Sequence, residues 1–307
     1  MLSACSVRSQ ASVPLSADRA SFVDALRTPV LIVTNGQANA IQYWPISPEG
    51  GTHPTTIARF EEISHSTGLA SDGNVIAIGI RKPAQIVFFD ARTGRRSSVE
   101  DPFGKPGAIV LDKSENLFAL NDTTNGINVT MYPAGSNTPR QLTCATAIQA
   151  QDMAAHDEGD LIVVGYLSAA VKAVELPNGP NGLQSGKCTF LPLQVESDYV
   201  EDVTVDPKTD DLIVFHDPGF CAGPPEGRIT IYPRPYDKKT AHSVDAGGTC
   251  PYGLFLNADS HSAFFIDSPL LGGQVVRQVT YPGGKFITSY RGSFPAEGVT
   301  IPNTLPN

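Results

Sequence analysis

The sequence is short of charge and has no long apolar run. Only 17% of its 307 residues are Asp, Glu, Lys or Arg, against about 25% in an average soluble chain. No stretch of about 18 apolar residues occurs, so no helix is encoded that could span a bilayer. Basic residues are scarce, with 22 Lys and Arg against 31 Asp and Glu and a net charge of -9. That balance excludes nucleic acid and anionic membrane surfaces as partners, since both demand Lys/Arg patches. It suits a soluble protein that meets cations or cationic ligands. No CxxC spacing is present, which speaks against zinc. GxSxG, P-loop, dinucleotide and HExxH signatures are all missing.

What the chain does have is repetition. Gly (28) and Pro (25) are frequent and spread along the whole length, as many short strands joined by turns require. Continuous apolar runs occur at 31–33, 75–78, 117–120, 161–164, 212–215 and 263–266. Continuous rather than alternating runs mark strands covered on both faces. A further strand follows each run, at 41–44, 85–89, 127–132, 171–176, 228–232 and 275–281. Several end in Tyr-Pro or Trp-Pro, where proline stops the ladder. A weaker, polar fourth strand follows, as at 140–143 and 286–290, in keeping with an outer edge. Ahead of each apolar run stands a strand marked by Gly68, Gly107, Asp152, Asp202, Gly253 or Gly298. The turns between are rich in Asp, Asn and Gly, which tolerate tight dihedrals.

The unit at the start lacks its inner strand, and the inner strand around Gly298 has no unit after it. Pairing the two closes a ring and removes the open sheet edges. The expected fold is therefore all-β: a six-bladed β-propeller of four-stranded antiparallel blades, over residues 28–307. Repeats of about 40–50 residues suit that architecture. Residues 1–27 are polar and Ser/Ala-rich, and read as a tether with a short helix at 21–26.

In such a ring the starts of the inner strands and the ends of the second strands gather at one mouth. The first set brings Asp152, Glu201, Asp202, Tyr252 and Glu297 there, and the second brings Arg81, Asp122, His216, Asp217 and Asp267. The mouth is dense in carboxylates. Such a set can hold Ca²⁺ or another divalent cation through oxygen ligands. It can equally bind a small molecule or protein partner with no catalysis, or do no more than cap turns. His216 beside Asp217 is an acid–base pair only if a nucleophile faces it; without one the step is structural. Four cysteines lie in the repeats: Cys144, Cys188, Cys221 and Cys250. An even number fits two disulfides. Cys221 and Cys250 fall on one face and make the preferred pair. Cys144 and Cys188 remain, at opposite ends of their blades, which makes them a poor pair. The alternative is four reduced thiols.

Two resemblances add to this. The repeats, for example Ile127-Asn128-Val129-Thr130-Met131-Tyr132-Pro133-Ala134-Gly135, resemble NHL/SMP-30-like propellers over about residues 29–302. The chain is expected to be a monomer. The resemblance brings an alternative activity, divalent-metal-dependent lactone or ester hydrolysis, with Glu297-Gly298 as the metal-binding step and Asp152, Glu201 and Asp202 as further ligands. Thr67 and Tyr252 depart from it, standing where that group carries Asn. Separately, Leu2-Ser3-Ala4-Cys5 resembles a bacterial lipoprotein box. It implies lipidation at Cys5 and an extracytoplasmic protein, in the periplasm, at the outer membrane or secreted, touching membrane only through that anchor.

Overall fold

The computed structural model describes residues 29–292, apart from 124–125, 137, 157–158, 168–169, 179–181, 194–198, 218–226, 238, 258, 260 and 269–273, together with the backbone of 296–300. Cys5, the tether with its 21–26 helix, and Cys221 fall outside these residues, as does the side chain of Glu297.

Six four-stranded antiparallel sheets are present. Blade one holds β1 (Val30–Asn35), β2 (Ala40–Pro45) and β3 (Thr55–Arg59). Blade two holds β4 (Ser66–Ser71), β5 (Val75–Arg81), β6 (Ala84–Asp90) and β7 (Arg96–Glu100). Blade three is β8 (Pro106–Leu111), β9 (Leu117–Asn121), β10 (Ile127–Tyr132) and β11 (Arg140–Cys144). Blade four is β12 (Gln149–Ala155), β13 (Leu161–Leu167), β14 (Ala170–Leu176) and β15 (Thr189–Leu191). Blade five is β16 (Val200–Val205), β17 (Leu212–His216), β18 (Arg228–Tyr232) and β19 (His242–Asp245). Blade six is β20 (Pro251–Leu256), β21 (Ser262–Asp267), β22 (Val275–Thr280) and β23 (Phe286–Arg291). The final strand, β24 (Ala296–Thr300), joins blade one in the order β24-β1-β2-β3. It lies antiparallel to β1, with Val33 opposite Val299 and Ile32 opposite Thr300. The ring is closed as the two incomplete units of the sequence require.

The second strands β1, β9, β17 and β21 are buried along their whole length. Their continuous apolar runs are explained by neighbours on both faces. The buried apolar side chains described form six clusters, one in each gap between blades. Between blades five and six, Phe215 and Phe265 lie 4.8 Å apart, ring centre to ring centre. In the closing gap Trp44 meets Tyr290 at 6.2 Å. The Asp-led turns work locally: Asp72 Oδ1 accepts the N–H groups of Asn74 (2.7 Å) and Val75 (2.8 Å). Asp112 and Asp206 do the same at their own turns. These acids hold the chain's bends and are not free for other work.

Two outer edges are covered by a neighbour's loop. The β2–β3 connection reaches back onto β23, where Arg291 N–H donates to Gly51 O at 2.7 Å and the Tyr290 hydroxyl donates to Ser47 O at 2.9 Å. Gly50 sits there at φ +74°, and a Cβ on it would lie 2.2 Å from Ser289 O. Three blades away, the β14–β15 connection climbs along β11, where Gly186 N–H donates to Thr143 O at 2.7 Å. This overturns the expected cysteine geometry. Cys144 and Cys188 form a disulfide with Cα atoms 6.2 Å apart. The connection carries Cys188 off its own blade and up to the end of β11, so opposite ends of two blades become neighbours. Cys250 is disulfide-bonded as well.

Candidate functional site

Every inner strand slips register near its mouth end. The unpaired positions are Thr67 on β4, Gly107 and Ala108 on β8, Gln151 on β12, Glu201 on β16, Gly253 on β20 and Glu297 on β24. A bulge of this kind re-aims side chains. Here it turns the strand starts toward the axis. The inner strands enclose a channel of about 980 Å³, whose wall includes Arg81, Asp122, Asp152, Glu201, Asp202 and Tyr252.

The wall is stitched from blade to blade. Thr67 Oγ1 donates to Pro106 O at 2.7 Å, joining blades two and three. Asp152 Oδ2 accepts Val203 N–H at 2.7 Å, joining blades four and five. Asp202 accepts Leu254 N–H, joining blades five and six, and also hydrogen-bonds the Asp152 carboxyl. Burial raises both carboxyls, and the Asp152 charge pushes Asp202 further, well above the ordinary carboxylate range. Glu201 is pushed up to about 7 by burial and by the charge of Asp217. Arg81 of blade two and Asp122 of the adjacent blade three pair at 3.0 Å with both side chains about half exposed. That pair offsets charge at the rim and adds little stability. The Tyr252 hydroxyl accepts from Gln274 Nε2 at 2.6 Å.

Three residues placed at the mouth by sequence do not line the channel. His216 and Asp217 are each 1% exposed, and Asp267 is fully buried. His216 Nε2 lies 2.7 Å from Thr230 Oγ1, which lies 2.7 Å from Ser243 Oγ. This chain crosses blade five from its second strand to its fourth. Burial first, then Arg228, pushes the imidazole down to about 4 against the opposing pull of Asp217. It is neutral at physiological pH and serves as a pillar between strands. Asp267 binds Arg277 Nε at 2.5 Å and accepts the N–H groups of Thr249 (2.8 Å) and Cys250 (3.1 Å). Gln274, Arg228 and Thr230 carry no repeat signal, and sequence reasoning missed their part.

A hard divalent ion needs about six to eight oxygen ligands. Among the described residues no group of three or more His, Cys, Asp or Glu converges to hold one. Asp152 and Asp202 are turned to each other and to backbone N–H groups. As placed, Asp152 and Asp202 do not form a metal cage; the side chain of Glu297, the leading ligand of the expected set, lies outside the described residues.

Glu201 gives a prediction with a definite sign. A carboxyl raised on folding lends its full stability below its unfolded value and loses it as pH rises through the folded value. For Glu201 that window runs from 4.5 to about 7. Glu201→Gln is therefore expected to leave stability unchanged near pH 4 and to raise it by about 2 kcal/mol near pH 8, after allowance for solvent screening. Denaturant unfolding at the two pH values measures this. A variant less stable than the native chain at the higher pH would refute it.

No family model matches the chain, and no curated protein matches it in sequence. In fold it is similar to a chain of a nidogen/laminin complex, with a TM-score of 0.69 and 13% identity over 90% of this chain and 98% of that one. It is similar to TolB from Acinetobacter baumannii, with a TM-score of 0.62 and 12% identity over 90% of this chain and 63% of that one. A catalytically inactive virginiamycin B lyase from Staphylococcus aureus, solved with quinupristin, gives a TM-score of 0.53 and 13% identity over 75% and 71%. At these identities the likeness is one of fold.

Proposed function

We propose that this chain is an exported, lipid-anchored propeller of the NHL/SMP-30-like group that binds a positively charged ligand, or a positively charged segment of a partner, at the mouth of its channel. The observation that carries the reading is the channel wall, which includes Asp152 of β12 and Glu201 and Asp202 of the adjoining β16. Arg81, a cation in the same wall, is already engaged by Asp122. A concave site lined by one sign of charge concentrates ligands of the other sign. The solved fold relatives add modest support, since one is in a nidogen/laminin complex and another holds quinupristin. The Cys144–Cys188 disulfide fits an oxidising compartment. Anchoring rests on the lipoprotein-box resemblance at Cys5. It is tested by detergent-phase partition of the natively expressed protein, which Cys5→Ser should abolish.

Binding is tested by calorimetric titration of the soluble protein with spermidine and with a short Lys-rich peptide, near pH 8, where Glu201 is ionised. The native protein is expected to bind one of them. Glu201→Gln should weaken that binding about five- to tenfold, equivalent to about 1–1.4 kcal/mol. If neither probe binds, or the variant binds as tightly as the native chain, the reading fails.

A further inference from the structure

We propose that the channel takes an organic cation with a single apolar tail, its head at the acidic mouth and its tail lying down the axis. This rests on the mouth being a cation site, and adds what the wall below the mouth selects. The inner strands β8, β12, β16 and β20 all run from the mouth toward the far end of the ring. Near their starts they carry Gln151, Asp152, Glu201, Asp202 and Tyr252. At their ends the chemistry changes. There stand Val110 and Leu111 on β8, Ala155 on β12, Val205 on β16, and Phe255 and Leu256 on β20. All six line the channel, and each is half-buried. Each packs on one side against an apolar cluster between blades. The surface it keeps belongs to the channel wall.

A wall that is polar at one end and apolar below selects a ligand of the same kind. The channel holds about 980 Å³. That is the upper end of the roughly 300–1,000 Å³ usual for small-molecule sites, which are mainly apolar with a few placed polar groups. A cation small enough to sit at the acids leaves the lower wall facing water. A tail attached to it covers that wall, and apolar surface leaves water on binding. Four residues separate Glu201 from Val205, and four separate Tyr252 from Leu256. At about 3.3 Å per residue this is about 13 Å of wall, room for a tail of about ten carbons. Ser71 and Thr204 are polar side chains at the lower level. The Ser71 hydroxyl is held in its own turn, where it donates to Val75 O at 2.9 Å. Past the strand ends Asp112, Lys113 and His156 line the same channel, so a longer tail gains little. Charge complementarity at the mouth fixes the sign of the head, and the lower wall demands the chain.

The test is a calorimetric series on the full-length protein at about pH 8. The probes are ethyl-, butyl-, hexyl- and octyltrimethylammonium, each below its micellar concentration. Complete burial of the tail would raise affinity about fourfold per methylene. The wall is open along the axis, so the expected gain is smaller, at least about tenfold from ethyl to octyl. Octanoate, with a similar tail and the opposite charge, should bind at least about tenfold more weakly than the octyl cation. Val110→Thr combined with Val205→Thr keeps the shape of both side chains and puts two hydroxyls in the lower wall. It should cut the octyl-to-ethyl affinity ratio at least about threefold. An unchanged ratio in that variant overturns the placing of the tail, and the native series decides alone if the variant does not fold. A flat series in a protein that still binds spermidine or the Lys-rich peptide overturns the tail and leaves the cation site standing. Octanoate bound as tightly as the octyl cation also overturns the proposal. If none of the cations binds, the cation site and the tail fall together.

Discussion

A chain ending at Pro295 is expected to lose its cooperative unfolding transition and to accumulate as insoluble or molten protein. The truncation removes residues 296–307, and with them β24. Its effect is large because β24 supplies the inner strand of blade one. Without it the edge of β1 is bared from Ile32 to Asn35, and Leu31, Ile32 and Val33, all fully buried, lose part of their cover. Each backbone group left unpaired away from water costs about 1–3 kcal/mol. Four residue pairs lie on this seam, so the loss reaches the whole stability of a typical domain, about 5–15 kcal/mol. A circular permutant separates loss of the strand from loss of chain length. The end of β24 lies beside the start of β1, with Thr300 opposite Ile32. Placing 296–302 ahead of residue 28 through a short turn makes an ordinary hairpin. The permutant, still ending at Pro295, should regain a sharp melt by circular dichroism. A truncated chain that melts like the native one would show that the ring is held by something other than this seam.

The blades were legible in sequence because their second strands are buried on both faces. Runs such as Leu212–Phe215 are continuous in apolar residues for that reason, and no helix of that length fits between such turns. The inner strands were legible because each needs a bulge at the mouth, and the residues there are small or acidic. The same continuity hid which way the strand ends point. In an alternating strand, polarity tells the inward face from the outward one. In a strand covered on both sides that signal is gone. Arg81 and Asp122 emerge at the channel, while His216 and Asp267 sit one step away and turn into the sheet. The Cys144–Cys188 bond was hidden differently. It depends on where a long connection travels after leaving its blade, and hydrophobic period carries no information on that path. Its companion, the loop at Gly50, was unreadable for the same reason, although the glycine it needs was in plain view.

Asp267→Ala is expected to cost about 3–5 kcal/mol, more than any single change in the channel wall. The carboxylate is fully buried and holds three donors at once: Arg277 at 2.5 Å, Thr249 N–H at 2.8 Å and Cys250 N–H at 3.1 Å. Alanine leaves the guanidinium without its counter-charge and two backbone donors without acceptors. The Arg277 side chain is 31% exposed, so water softens part of the loss and places the cost toward the lower end. Asp267→Asn should recover about half, since an amide oxygen can still accept from Thr249 and Cys250 while the charge pairing with Arg277 is gone. The donors held are those leading into β20, so the damage is to how blade six enters the ring. Affinity separates this role from that of a mouth ligand. In Asp267→Asn, folded and assayed well below its melting point, spermidine affinity should stay within about twofold of native, a difference of about 0.4 kcal/mol. Glu201→Gln should show the opposite pattern near pH 8, a stable fold and weakened binding. If Asp267→Asn instead loses binding tenfold while melting like the native chain, Asp267 belongs to the ligand site, and its buried contacts are a resting arrangement that opens on binding.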